Sequence, residues 1–199
     1  MSMRRNKALG CIQRFRQRLS RDDNGATAVE FGLVCLPFMM LLFGIMSVCF
    51  YFFKTYTVEN AVWTATRDMR TGAYQTASSS SAYAGITDPL VLKRKFKEVL
   101  CSKAFLSTVD CTNDVRILVQ ARSNFSTIAT PACLAGGNLV SEASAEASFD
   151  SGGASSVVLV TACYQWTFAN KMPFLKFSNM TNGARLIQGS ASFRSEPYN

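Results

Sequence analysis

The chain carries one uninterrupted run of 23 uncharged, mostly apolar residues, from Phe31 to Phe53. At about 1.5 Å per residue, a helix of that length covers roughly 34 Å, enough to cross a bilayer core of about 30 Å. A cleavable secretory signal holds a shorter apolar core, about 7–15 residues, followed by a small-x-small cleavage site. The residues just after Phe53 make no such site. A lipoprotein signal also fits poorly, because Val34 precedes Cys35 and Val48 precedes Cys49 where a small residue is needed. The run reads as a membrane-spanning anchor.

Charge is distributed around this run in a telling way. The 199 residues carry a net charge of +8, with a pI near 9.3. Most of the excess precedes the run: Arg4, Arg5, Lys7, Arg14, Arg16, Arg18 and Arg21 face only Asp22 and Asp23. A basic chain often binds nucleic acid or anionic lipid. A basic tail beside a span is explained by topology instead. The positive-inside rule keeps that flank cytoplasmic and exports the remainder. Nucleic acid is not expected as a partner; the lipid bilayer is.

Between tail and run lies Gly25-Ala26-Thr27-Ala28-Val29-Glu30. A carboxylate at the mouth of a membrane span costs several kcal/mol unless it is partnered. A cut after Gly25 would create a partner, the new α-amino group of Ala26 on a neighbouring subunit. Glycine suits such a cut, since the absent side chain lets an extended backbone enter a protease cleft. The plainer reading is an ordinary, unprocessed single-pass anchor with Glu30 among the lipid headgroups.

This arrangement resembles the leader of type IV prepilins. The run Ala26 to Val34 with Pro37, and Glu30 followed by Phe31 where the major Flp-type pilins carry Tyr, is similar to the opening of the TadE-like pseudopilins. Val58-Glu59-Asn60-Ala61-Val62, Arg67 to Gly72, Cys101-Ser102, Asp110-Cys111, Asn182 to Ile187 and Ala191 to Tyr198 resemble later parts of that family. The resemblance implies a minor pseudopilin cut by a prepilin peptidase between Gly25 and Ala26. It would act in a Tad (Flp-type) adhesive pilus with other pilins and pseudopilins and an inner-membrane assembly platform. It further implies a bacterial inner-membrane location, a cytoplasmic N-terminus, a periplasmic C-terminal domain, and no catalysis by the subunit. A subunit built into the pilus would also be extracellular.

The spacing predicts one helix from about Asp23 to Arg70, with Pro37 as a potential kink. Ala28 and Gly32 form a small-xxx-small pair that admits a close neighbour. Val58, Val62, Ala65 and Met69 give an apolar stripe beyond the membrane, and Gly72 a helix stop. Residues 73–89 read as a linker, rich in serine at 78–81. Asp88-Pro89 reads as N-cap and N1 of a second helix, buried through Leu92, Phe96, Val99 and Leu100. Its basic cluster Lys93, Arg94, Lys95 and Lys97 reads as a solvated face. Alternation predicts strands at Val115 to Arg122 and Val157 to Phe168, and a last strand after the Asn182-Gly183 turn, with Ile187, Ala191 and Phe193 on one face. The stretch between Gly136-Gly137 and Gly152-Gly153 reads as a long exposed loop. The expected fold is α+β. A long transmembrane helix continues out of the membrane and packs on a small antiparallel sheet with one further helix. The expected organisation is 1–25 leader, 26–72 helix, 73–89 linker and 90–199 periplasmic domain.

Of seven cysteines, Cys11 lies in the leader and Cys35 and Cys49 in the span. The four exported ones, Cys101, Cys111, Cys133 and Cys163, read as two disulfides in an oxidising compartment. Three connectivities exist, and proximity favours Cys101–Cys111 with Cys133–Cys163. The chain has no histidine and no CxxC, so neither a zinc site nor a thiol oxidoreductase is expected. The missing histidine also weakens nucleophile–base schemes. No phosphate loop or paired-carboxylate motif is visible. No enzyme activity, cofactor or metal is expected.

Overall fold

The computed structural model describes residues 23–76, 81–104, 108–171 and 177–197. Most of the leader, Ser78 to Ser80 and Tyr198 lie outside them. Helix α1, Asp23–Arg70, is 48 residues long and passes through Pro37. It runs from one compact unit, Met1–Met46, into a second, Ser47–Asn199. In the first unit the described helix is apolar on all sides and exposed on nearly all of them: Phe31, Leu33 and Leu41 are among its open side chains.

In the second unit the helix becomes one-sided. Val58, Ala61, Val62, Ala65 and Met69 are each at most 1% exposed. Their steps of three and four residues keep them on one face. That face lies on a three-stranded antiparallel sheet. Its strands are β1 (Val115–Arg122), β4 (Val157–Trp166) and β5 (Arg185–Arg194), with β4 in the centre. Between β1 and β4 a two-stranded ribbon is formed by β2 (Leu134–Ala135) and β3 (Asn138–Leu139). Register places Val119, Val160 and Ala191 side by side, and Val115, Tyr164 and Ile187 in another row. All six belong to one buried cluster with the helix stripe. The α+β expectation holds, and so does the face predicted for Ile187, Ala191 and Phe193.

Close approach of helix and sheet depends on Gly189. In its row, Ile117 and Ala162 precede it across the sheet, so the side chains shrink toward the helix. A Cβ on Gly189 would lie 3.1 Å from the Glu59 Cα and 3.2 Å from the Glu59 N. Backbone atoms cannot step aside as a side-chain tip can. Gly189→Val is therefore expected to destabilise the domain by about 1–3 kcal/mol through overpacking. For a unit of this size that is a fall of roughly 2–12 °C in Tm, read by circular dichroism. An unchanged Tm would remove the close-approach argument.

Helix α2, Pro89–Lys103, starts as expected: the Asp88 carboxylate accepts from the Leu90 N–H at 2.8 Å, and Pro89 occupies the first turn. Phe96 and Leu100 are buried, with Leu92 and Val99 packed beside them. Two short helices were not expected. Helix α3, Thr108–Asp114, fills the gap before β1, and helix α4, Glu142–Ala147, occupies the stretch read as a loop. Six or seven residues are too few to give a periodic pattern. The signal for α4 is its cap, Ser141, which accepts from the Ser144 N–H at 3.1 Å. The same stretch also contains the β2–β3 turn through Gly136 and Gly137, both at positive φ.

Two further departures concern aromatic residues. β4 ends at Trp166, where pairing with Arg185 opens β5. Phe168, expected as the last residue of the strand, instead lies in the short helical segment Thr167–Lys171 and is 52% exposed. β4 is also buried on both faces. Its second face, with Cys163, packs with Leu118, Cys133 and Ala145. In the stretch read as a linker, Tyr74 and Tyr83 are core residues, edge to face at 5.2 Å. Burial raises both phenol pKa values well above the ordinary range, and for Tyr83 the nearby Asp68 carboxylate adds to it.

Candidate functional site

The junction singled out by sequence lies in α1, which includes both Gly25 and Ala26. Glycine weakens a helix by about 1 kcal/mol relative to alanine. Glu30 is four residues after Ala26, one helical turn along the same face. Gly25, Glu30 and Phe31 are exposed, Phe31 at 71%. Among the described residues Glu30 forms no ion pair. A Cβ on Gly32 would meet nothing within 4 Å, so the Ala28/Gly32 face is open to a neighbouring helix.

Between Glu30 and Lys54 the helix offers no charge. Its mean hydropathy reaches 2.5 over its best 18-residue window, of which 6% is buried. A soluble core helix would hide such a surface; this one leaves it out, as a membrane anchor does. Among the described residues it is the one helix long and apolar enough to cross a membrane.

The basic cluster of α2 turns out to be more than a solvated face. The Lys97 Nζ lies 2.9 Å from the Glu142 Oε1, and the Arg116 guanidinium 2.9 Å from the Glu142 Oε2. Lys93 donates to the Glu146 carbonyl at 2.9 Å and sits 5.3 Å from the centre of the Phe149 ring. These contacts fasten α4 to α2 and β1. Lys95 pairs with Glu98 on the surface. A cleft of about 710 Å³ opens beside this network, lined by Arg94, Lys97, Glu98, Arg116, Glu142 and Glu146, with the Cys101 and Cys111 pair in its wall. Its charges are mixed: Lys97 and Arg116 share Glu142, while among the described residues neither Arg94 nor the Glu146 carboxylate forms an ion pair. Sequence reading missed Glu142 because its partners are 45 and 26 residues away.

The structure joins Cys101 to Cys111 and Cys133 to Cys163, with Cα–Cα distances of 5.8 and 5.7 Å. The first bond ties the end of α2 to α3. The second ties the β2–β3 region to the centre of β4, on the face away from α1. Cys35 and Cys49 are free. Among the described residues no three Cys, Asp or Glu side chains gather where they could hold a metal ion.

Neither a curated protein nor a solved structure matches the chain significantly. A family model does, over the segment that holds the junction, the apolar run and most of the buried helix stripe: residues 25–67 of this chain are similar to the TadE-like proteins.

Proposed function

We propose that the chain is a minor pseudopilin of a Tad (Flp-type) pilus. It is inserted in the bacterial inner membrane with its basic end in the cytoplasm and its α+β domain in the periplasm. A prepilin peptidase cuts it between Gly25 and Ala26. The mature helix then enters or primes the assembly of a thin adhesive fibre, together with other pilins and an inner-membrane platform. The subunit contributes binding surface and no catalysis.

One observation carries this reading: the TadE-like match opens on Gly25, the residue after which the cut is expected. The basic segment before it and the exposed apolar helix after it support the same topology. Glu30 then has a role: its carboxylate is positioned one turn from the new amine, where a neighbouring subunit's amine could neutralise it inside an apolar bundle.

Intact-mass measurement of the protein from membranes of cells with and without the peptidase tests the proposal. The expected product is shorter by 25 residues and begins at Ala26, in peptidase-positive cells alone. Full-length chain in both would leave an unprocessed, membrane-anchored interaction protein as the surviving reading.

A further inference from the structure

After β4 the polypeptide returns to the membrane end of α1. At the far end of the helix, the Glu196 N–H donates to the Arg70 carbonyl at 2.9 Å. β4 begins there too, since Val157 pairs with Arg194. Ten strand residues at about 3.3 Å each cover roughly 33 Å. The helix from Arg70 back to Tyr51 covers about 29 Å. The lengths agree, and the ends meet: the Trp166 ring lies 6.2 Å from the Tyr51 ring. β4 therefore runs down α1 toward the apolar run and leaves the sheet level with Tyr51.

Tyr51 belongs to that run, two residues before its end. Tyr51 is therefore at the edge of the span, since a run of this length just covers a hydrocarbon core of about 30 Å. Five aromatic rings meet at this height. Tyr51 contacts Phe52 at 5.6 Å, Phe177 at 5.9 Å and Trp166, and Trp166 contacts Phe168 at 6.2 Å. Phe52 and Phe168 face outward, 63% and 52% exposed. Cations border the cluster. The Arg185 guanidinium sits 5.3 Å from the Tyr51 ring centre, Lys54 follows the run, and exposed Lys171 closes the turn after β4. Phe125 is just as open elsewhere in the domain, at 55%, so what sets Phe168 apart is its place beside the apolar run. At a membrane interface, aromatic rings under a rim of Lys and Arg are the usual composition, with the cations reaching the lipid phosphates.

We propose that the turn Thr167–Lys171 is a second membrane contact. Phe168 is seated at the boundary of acyl chains and headgroups in the leaflet nearest the domain, and Lys171 lies against the phosphates. The inference rests on the reading of α1 as a membrane span. A second contact restrains the tilt of the domain against the bilayer, which a single helix would leave free.

Photolabelling of the full chain tests this. The protein is reconstituted in phosphatidylcholine–phosphatidylglycerol vesicles that include a phosphatidylcholine with a diazirine near the top of one acyl chain. Adducts are located by fragmentation mass spectrometry. Adducts are expected at residues 48–53 of the helix and, at comparable yield, at 167–171, with none at 153–156 beside the start of β4. Phe168→Glu, an exposed position, is expected to lose the adducts at 167–171 and keep those of the helix. Adducts on the helix with none at 167–171 would overturn the second contact and leave the anchor standing. No adducts on either would overturn the anchor reading as well.

Discussion

Cells that express Gly25→Leu together with the peptidase are expected to accumulate the chain at full length. Cleavage should fall by about 100-fold or more, because displacing a scissile bond by about 1 Å costs on that order, and a branched side chain next to the bond prevents close approach. Intact mass reads the result directly. Glu30→Ala is expected to separate two roles that Gly25 couples. The cut lies four residues before Glu30, so the shorter product should still form. Assembly should fail, because the new amine loses the carboxylate that neutralises it in the apolar bundle. Piliation at the normal level in Glu30→Ala would end the pairing argument. A shorter product at normal yield in Gly25→Leu would place the cut elsewhere.

Phe96→Ala is expected to have the largest effect on the folded domain. Phe96 is fully buried and stands edge to face with Tyr74 at 5.7 Å and with Phe149 at 6.2 Å. The substitution removes the packing of a ring that three segments share: α2, the stretch after α1, and the end of α4. Such truncations cost about 3–5 kcal/mol. That corresponds to a fall of roughly 6–20 °C in Tm for a domain of this size. Thermal melts of the full chain, followed by near-UV circular dichroism, measure it. A shift of a degree or less would mean that this aromatic cluster does not hold the three segments together.

The parts legible in the sequence are those written as long periodic patterns. The apolar run, the stripe from Val58 to Met69 and the alternation in β1 and β5 each repeat often enough to determine both element and face. The Asp88-Pro89 cap was equally readable, since one side chain and one ring specify a helix start without any pattern. What stayed hidden is short or non-local. Helix α4 has one buried residue, Ala145, so no stripe exists to detect. Tyr74 and Tyr83 are isolated in a polar stretch, and their burial depends on Phe96 and Phe149 arriving from elsewhere. Glu142 could be found only by knowing that α4 lies across α2 and β1. Alternation showed β4 as a strand but not what covers its second face; Cys163 there is buried against Cys133 and Ala145, which come from the β2–β3 region and the unexpected α4.

The stripe on α1 has a mechanical consequence. On the proposed reading of α1 as an anchor, the helix that holds the protein is also the element on which the sheet packs, and β4 runs alongside its Tyr51–Arg70 part in the opposite direction over nearly the same length. Tension applied at the anchor therefore enters the domain along the helix–sheet contact as shear. All the stripe residues from Val58 to Met69 resist it together, so none is loaded alone as it would be if the helix were peeled from one end. On that reading, the chain can be pulled by its tail without first giving up its fold.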